Sequence, residues 1–127
     1  MGKEIVHTEK APAAIGPYVQ GVKANGLLFV SGQLGIDMTT GELPDDVAAQ
    51  AFCSLQNLGA ILAEAQLNPA AVVKTTIFLT NMADFAAVNK IYSDFFQGNY
   101  PARSTVAVAA LPKAAKVEIE CIAVLDA

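Results

Sequence analysis

Arg103 is the first residue whose type and position suggest chemistry. It opens a segment, residues 104–111, that is small or apolar apart from its first two residues and reads as a β-strand. Strand alternation places Thr105 and Ala107 on the same face as Arg103. A planar guanidinium at the start of a strand can bind a carboxylate through two parallel hydrogen bonds. The pattern therefore indicates a carboxylate anchor, although it also suits an arginine that reaches into solvent or pairs with a structural acid.

The last segment of the chain carries a second pattern with chemical potential. Glu118 and Glu120 share one face of a predicted strand, and Val117 and Ile119 occupy the other face. Alternating charges are ordinary on a solvated strand face, and this remains the alternative interpretation. If the strand lies antiparallel beside the strand that Arg103 opens, however, a carboxylate comes within reach of whatever Arg103 binds. We expect the two strands to be neighbours.

Residue types that other catalytic mechanisms require are scarce. The single histidine, His7, excludes a pair of catalytic histidines and disfavours a metal site. Cys53 and Cys121 follow neither a CxxC nor a zinc-binding spacing. Free cysteines usually pack as small buried hydrophobes, and a nucleophilic role would need a base nearby. No glycine-rich phosphate loop is present, so we expect neither a metal nor a cofactor.

The charge balance disfavours nucleic acid as a partner. The chain has 8 basic and 12 acidic residues, a formal net charge of −4 and a pI near 4.7. Nucleic-acid binding depends on lysine and arginine contacts to phosphates, and the sequence contains no basic run. It also lacks a signal-peptide core and an apolar stretch of roughly 18 residues that could span a membrane. A reducing, cytoplasmic location with free thiols is expected.

The composition predicts one domain with a subunit partner. Hydrophobic residues make up 54% of the chain and charged residues only 16%, whereas an ordinary soluble domain is about 25% charged. A small monomer cannot bury so much apolar surface, so part of it should contact another subunit. Glycines and prolines fall singly rather than in a linker, which indicates a single domain over residues 1–127.

The predicted elements follow the order βββαβαββ. Strands are expected at residues 3–8, 19–22, 27–32, 72–80, 104–111 and 116–125. Asn25 and Gly26 predict a tight hairpin because both tolerate the positive φ of a primed turn. One helix should run from Pro44 to Asn68, and a second from an N-cap at Asn81 to just before Gly98. This order predicts an α+β fold with a mixed six-stranded sheet and both helices on one face.

Four separated segments together resemble the RidA/YjgF reactive-intermediate deaminases. They occur in the family's order along the chain, at residues 11–18 (APAAIGPY), 31–33 (SGQ), 101–104 (PARS) and 117–120 (VEIE). The resemblance implies a chorismate-mutase-like fold, which agrees with the predicted element order. It also implies a homotrimer whose active sites lie in clefts between subunits.

The resemblance also assigns roles to individual residues. Arg103 corresponds to the carboxylate anchor, Glu118 to the residue that positions or activates water, and Tyr18 to a group that lines the cleft near the imine. Ser31 and Gly32 correspond to positions beside the ligand.

Two further positions carry over from the family to the substrate site. Asn89, in the second predicted helix, corresponds to a position associated with the site, although it also reads as an ordinary exposed polar residue. Thr105 stands where some members have cysteine. This departure speaks against a thiol role and leaves backbone contacts to the ligand available.

The implied activity is the hydrolysis of short 2-imino acids, 2-iminopropanoate and 2-iminobutanoate or their enamine tautomers, to 2-oxo acids and ammonia. A protonated imine carbon is already electrophilic, so positioning and electrostatics suffice without a covalent nucleophile. A module that binds a 2-oxo acid through Arg103 without turnover remains an alternative. An endoribonuclease or translation inhibitor fits the acidic chain less well, and a chaperone role is a further alternative.

Overall fold

The structure, a computed structural model, describes residues 2–125 and contains six strands and two helices in the predicted order. The elements are β1 (Glu4–Val6), β2 (Gly21–Ala24), β3 (Leu27–Leu34), α1 (Val47–Glu64), β4 (Val72–Leu79), α2 (Phe85–Phe96), β5 (Ala102–Ala107) and β6 (Val117–Val124). The prediction of an α+β fold with a mixed sheet and two helices is confirmed.

The strand order in the sheet is β1-β2-β3-β6-β4-β5. All neighbouring strands are antiparallel except β4 and β5, which run parallel because α2 carries the chain back along the sheet between them. The expectation that β5 and β6 are antiparallel neighbours is therefore wrong, since β4 lies between them. The register places Arg103 opposite Thr75 of β4 and Glu118 opposite Phe78 of the same strand.

Helix α1 packs on one face of the sheet against β3 and β6. Asp46 caps its N-terminus by accepting a hydrogen bond from the Ala49 amide at 3.1 Å. Its apolar stripe, which includes Leu55, Leu58 and Leu62, is at most 1% exposed. Burying each leucine contributes roughly 1.5–3 kcal/mol, which makes this stripe the main attachment of the helix. Among residues 2–125, no helix combines the length and apolar character needed to cross a membrane.

Helix α2 begins three residues later than an N-cap at Asn81 would place it. The Asn81 side chain instead accepts a hydrogen bond from the Ala83 amide and caps a short 3₁₀ turn at Met82–Asp84. The α-helix then runs from Phe85 to Phe96, and Gln97, whose φ of 51° is left-handed, caps its C-terminus. An Asn cap is satisfied equally by a 3₁₀ or an α turn, so the residue type did not distinguish them.

Strand β5 ends earlier than predicted because its partner β4 ends at Leu79. Backbone pairing continues as far as the hydrogen bond from the Val108 amide to the Leu79 carbonyl, at 2.7 Å, and β4 ends at Leu79. The Asn25–Gly26 hairpin, by contrast, forms as predicted, with φ values of 54° and 81°.

The sheet face opposite the helices is partly apolar and uncovered within one chain. By strand alternation it carries Phe29 of β3, Val106 of β5 and Val124 of β6, which are 42%, 42% and 39% exposed. Glu118 and Glu120 lie on this same face, because the residues that alternate with them, Val117, Ile119 and Cys121, are buried on the helix side. A face with this composition is suited to contact another subunit.

Candidate active site

Tyr18, Gly32 and Glu118 line one cavity of about 600 Å³. Glu118 reaches it from β6, Gly32 from the adjacent strand β3, and Tyr18 from the loop that precedes β2. Much of the rest of the wall is apolar, with side chains such as Ile15 and Leu34. The cavity thus combines the Glu118 carboxylate, the Tyr18 phenol and the Lys113 ammonium group with a wall that is largely apolar.

Glu118 has the electrostatic character of a proton acceptor. Its side chain is half-buried, and burial raises the pKa of its carboxyl above the ordinary value. The negative charge of Glu120, two residues along the same face, raises that pKa further. A carboxylate whose pKa is raised binds a proton more tightly, which suits it to take a proton from water at a pH near neutrality.

Gly32 leaves the space that the Glu118 carboxylate occupies. A Cβ atom added at Gly32 would overlap that carboxylate and would lie 2.9 Å from its carbon atom Cδ. Gly32 has an ordinary negative-φ backbone, so a turn does not require glycine here. The Glu118 side chain on the neighbouring strand therefore explains why residue 32 is a glycine.

Gly32→Ala should displace the Glu118 carboxylate and lower turnover while leaving the fold intact. The clashing group is the end of a flexible side chain, which can rotate away at little cost to stability. The comparison variant is Gly59→Ala in α1, where an added Cβ would meet only the Phe95 ring at 3.6 Å. Turnover and Tm measured for both variants would check this. Full activity of Gly32→Ala would show that the position of Glu118 is not critical.

Ser31 supports the cavity from behind rather than lining it. Its hydroxyl donates a hydrogen bond to the Val19 carbonyl at 2.6 Å, and its amide donates to the Gln20 carbonyl at 2.9 Å. These bonds attach the end of the Tyr18 loop to β3. The hydroxyl proton of Ser31 is therefore committed to the backbone, and only its lone pairs remain for a ligand.

Arg103, the only arginine in the chain, lies in a second cavity of about 470 Å³ on the helix side of β5. Its Nη1 atom donates a hydrogen bond to Asn89 Oδ1 at 2.8 Å. Its Cζ atom lies 4.9 Å from the centre of the Tyr92 ring and 5.2 Å from that of Phe85. Within residues 2–125 no carboxylate is within ion-pair distance of Arg103. The guanidinium is held by neutral groups and keeps its charge available.

Tyr92 is itself fixed from below. Its hydroxyl makes a hydrogen bond of 2.6 Å with the Thr75 hydroxyl in the buried interior. Burial raises the Tyr92 pKa, and the Thr75 bond and the Arg103 charge only partly oppose that effect, so the Tyr92 hydroxyl is protonated and the side chain is neutral.

Thr105 lies two residues beyond Arg103 on the same face of β5. Its buried hydroxyl oxygen has no hydrogen-bond partner among the described residues.

The two groups of predicted site residues do not meet within one chain. Arg103 and Glu118 are opposite Thr75 and Phe78 of β4, which are three residues apart, so their side chains point to opposite faces of the sheet. Two strand spacings and three residue rises separate their Cα atoms by roughly 14 Å. Tyr18 and Gly32 lie with Glu118, whereas Asn89 lies with Arg103.

Neither cysteine is activated. Burial raises the pKa of Cys121 to about 12, and burial also raises the pKa of Cys53, with a smaller contribution from Asp37. Both thiols therefore remain protonated at neutral pH. Cys53 lies in a wide apolar groove of about 900 Å³ beside α1, which contains none of the predicted site residues. Within residues 2–125, no three metal-ligating side chains are arranged to hold a metal ion.

A polar stripe on α1, which the sequence pattern did not reveal, shapes the Glu118 cavity. Gln50, Ser54 and Asn57 are at most 3% exposed, and their spacing of four and three residues is the same as that of the apolar stripe. That spacing is the signal that could have identified them. Ser54 and Asn57 donate to backbone carbonyls of residues that line the cavity: Gln33 (2.7 Å), Leu34 (3.2 Å) and Ile36 (3.0 Å). Gln50 donates to the Pro44 carbonyl at 2.7 Å, in the loop that precedes α1.

Comparison with known proteins places this architecture in a family. Residues 8–125 match the family model described as Endoribonuclease L-PSP. The chain belongs to that family. The match spans both helices and five of the six strands, all except β1, and so includes the residues that line both cavities.

Relatives of the chain carry RidA and YjgF names. The 2-iminobutanoate/2-iminopropanoate deaminase of Escherichia coli is 53% identical over 127 residues, which cover 98% of each chain. The crystal structure of E. coli TdcF with bound serine has a TM-score of 0.91 and 48% identity, covering 95% of this chain and 98% of that one. That of the E. coli YjgF gene product has a TM-score of 0.91, 52% identity and the same coverage. The predicted membership of the RidA/YjgF family is confirmed.

Proposed function

We propose that this RidA/YjgF protein hydrolyses short 2-imino acids to 2-oxo acids and ammonia, with one RidA-like domain over residues 1–127 acting in the cytoplasm. The observation that carries the proposal is that the Arg103 side chain is held in place but has no ion-pair partner. Its guanidinium is held by Asn89 and two aromatic rings and has no carboxylate partner in the described chain. A planar guanidinium that is held in place and has no neutralising partner is suited to bind the carboxylate of a small acid.

The reaction then needs one proton carrier near the imine carbon, and in our proposal the Tyr18 hydroxyl, which lines the same cavity, hydrogen-bonds to the reacting group beside it. Glu118 accepts a proton from water as the water oxygen attacks the carbon of the protonated imine, and the C=N bond becomes a single bond. The protonated Glu118 next gives this proton to the amino nitrogen. The C–N bond breaks as the carbon's hydroxyl group gives its proton back to Glu118, so ammonia leaves and the carbon retains the oxygen as a 2-oxo acid. Glu118 then releases that proton to the departing ammonia or to solvent. The raised pKa of Glu118 suits it to both transfers.

The separation of Arg103 from Glu118 within one chain supports a site shared between subunits. In our proposal, Arg103 and Asn89 come from one protomer, and Glu118, Gly32 and Tyr18 come from its neighbour in a homotrimer. Ser31 supports the loop on the Glu118 side, and the Thr105 hydroxyl or backbone contacts the ligand on the Arg103 side. The uncovered apolar sheet face, which includes Phe29, supplies a surface for assembly.

A shared site predicts that two inactive variants restore each other's activity. Arg103→Ala and Glu118→Ala should each be inactive as pure trimers. Random one-to-one mixing should recover about a quarter of the wild-type activity, because each site then has a one-in-four chance of drawing both intact residues from neighbouring chains. Light scattering should give three times the chain mass of 13.2 kDa. No recovery in verified mixed trimers would contradict the shared site.

The proposed reaction is tested directly by turnover. An amino-acid oxidase acting on L-alanine supplies 2-iminopropanoate in solution, and semicarbazide traps the free imine as a chromophore. The wild-type protein should lower the yield of trapped imine and speed the release of pyruvate and ammonia, and Arg103→Ala should not. An unchanged imine lifetime with folded, trimeric protein would refute the deaminase proposal.

Binding without turnover is the second candidate, and one observation favours it. The related TdcF was crystallised with serine, which shows that a protein of this family holds a small amino acid. If the imine lifetime is unchanged while 2-oxo acids bind in an Arg103-dependent manner, this candidate replaces the first. An endoribonuclease would follow the family model's description, but the net charge of −4 opposes capture of RNA.

A further inference from the structure

Gln20, immediately before β2, is buried at 2% exposure and binds only backbone groups. Its Oε1 atom accepts a hydrogen bond from the Thr8 amide at 2.7 Å. Its Nε2 atom donates to the carbonyls of Thr8 at 3.0 Å and Pro12 at 2.8 Å, and approaches that of Ala11 at 3.4 Å. Both amide hydrogens are thus used within the chain, and Gln20 has no donor left for a ligand although it lies in the wall of the Glu118 cavity.

These bonds hold one end of the segment that carries Tyr18, residues 13–18, which we call the Tyr18 strap. Gln20 holds the chain just before the strap, at Pro12, and Ser31 holds it just after, at Val19. Within the strap, the described backbone makes a single hydrogen bond, from the Tyr18 amide to the Gly16 carbonyl at 2.9 Å. The middle of the strap therefore depends on its two attachments for its position.

The strap also gains little from burial. Ile15 is 82% exposed and Tyr18 is 53% exposed, so packing does not fix them within one chain. A segment that lacks both packing and internal hydrogen bonds is ordered by its anchors, and releasing one anchor lengthens the free chain and widens the region that Tyr18 can reach.

We infer that Gln20 is a positioning residue for catalysis, which acts by holding the Tyr18 strap so that the Tyr18 hydroxyl is placed over the Glu118 cavity. This inference rests on the proposed function. Gln20 does not touch the substrate, and its effect on turnover passes through Tyr18. Loss of the Gln20 amide group frees the Thr8–Pro12 backbone from the start of β2. Tyr18 then occupies its position at the Glu118 cavity for only part of the time.

Kinetics of Gln20→Leu and Tyr18→Phe, alone and combined, test this inference. Gln20→Leu should lower kcat by about ten- to a hundred-fold, as misplacement of a catalytic group does, with little change in KM because Arg103 still binds the carboxylate. In the Tyr18→Phe background the same change should cost much less, because the hydroxyl it positions is already gone. Equal costs in the two backgrounds, or wild-type kcat in Gln20→Leu, would overturn the inference.

A matched core variant separates positioning from a general loss of stability. Leu62→Ala removes buried volume from α1, where Leu62 is 1% exposed, far along the chain from the strap. Compared at equal distance below their Tm, Leu62→Ala should keep the wild-type kcat per folded chain and Gln20→Leu should not. If Gln20→Leu does not fold, Gln20→Glu keeps the size and the acceptor for the Thr8 amide and replaces the two donors with a carboxyl oxygen, which also places an ionisable group in a buried site. An equal fall in kcat for the core variant would overturn the inference.

Trypsin provides a readout that does not depend on turnover. The peptide bond after Lys10 lies in the segment that Gln20 holds, and the next residue, Ala11, is 2% exposed. Gln20→Leu should be cut there much faster than the wild-type protein or Leu62→Ala. Unchanged cutting would overturn the inference even if the protein hydrolyses imines. If Gln20→Leu is cut faster but the wild-type protein has no deaminase activity, Gln20 holds the strap and the proposed function is wrong.

Discussion

Arg103→Lys should lower kcat/KM for imine hydrolysis by about ten- to a hundred-fold, which corresponds to the loss of one charge-assisted hydrogen bond of roughly 1.5–3 kcal/mol. Lysine keeps the positive charge but has no planar fork. It also cannot donate to Asn89 and to both carboxylate oxygens in the geometry that Arg103 adopts between Tyr92 and Phe85. Steady-state kinetics with 2-iminopropanoate, together with the affinity for pyruvate, would measure this loss.

Lys90→Met is the matched control for the electrostatic part of that effect. Lys90 neighbours Asn89 on α2 but is exposed and paired with Asp94 at 3.0 Å. Its removal changes the charge near the cavity without touching the guanidinium, so kcat/KM should remain close to that of the wild-type protein. If Arg103→Lys retained normal kcat/KM while Lys90→Met lost activity, the site would need positive potential and not a two-point carboxylate anchor.

Local chemistry made much of the fold predictable. The Asn25–Gly26 turn, the apolar stripe of α1 and the alternation of Val117 to Cys121 all depend on neighbours within a few residues, and each forms as expected. These features follow from φ preferences and from the 3.6- and 2-residue periods, which operate inside a single element. Element order and fold class were predictable for the same reason.

The arrangement of the site depends on contacts that periodicity does not encode. Alternation correctly placed Glu118 and Glu120 on one face, but it could not identify the neighbours of β6. The crossover of α2 sets β5 beside β4, and this one feature moves Arg103 two strands away from Glu118 and onto the other face. A pairing between distant segments is decided by the packing of the whole sheet, which no window of the sequence contains.

The buried polar residues were the other feature that the sequence did not predict. Gln20 and the α1 residues Gln50, Ser54 and Asn57 would ordinarily be assigned to solvent, since glutamine, serine and asparagine are mostly exposed in proteins. Here each satisfies backbone groups of loops or of the irregular end of β3, which lack regular partners. Whether a loop needs such a partner becomes visible only when its path is known, so the residues that shape the Glu118 cavity emerged from the structure.

Glu118→Gln should lower kcat by about a hundred-fold or more, the range in which a general base contributes, while pyruvate still binds through Arg103. Glutamine keeps the shape of the side chain but cannot accept a proton from water. Glu120→Gln should change kcat far less, because Glu120 lies two residues further along the same face, about 7 Å away at the usual strand rise, and does not line the cavity. Kinetics and calorimetry on both variants would compare them, and the reverse ranking would move the proton carrier to Glu120.

The pH dependence of kcat gives Glu120 a distinct signature. Activity should fall as the pH drops through the raised pKa of Glu118, since the protonated carboxyl no longer accepts a proton from water. Because the charge of Glu120 contributes to that raised pKa, Glu120→Gln should move the acid limb of the profile to lower pH. An acid limb that stays in place in Glu120→Gln would mean that the limb reports a group other than Glu118.

Stability should change in the opposite direction from activity. The folded protein binds a proton at Glu118 more tightly than the unfolded chain does, since burial raises the pKa from its ordinary value of 4.5. The wild-type protein therefore loses stability as the pH rises from that ordinary value through the raised pKa, and it carries this cost at neutral pH. Glu118→Gln removes the cost, so its Tm at pH 7 should equal or exceed that of the wild-type protein while its kcat falls. A lower Tm in Glu118→Gln would show that the charged carboxylate stabilises the fold, and its loss of activity could then follow from unfolding instead of from a missing proton acceptor.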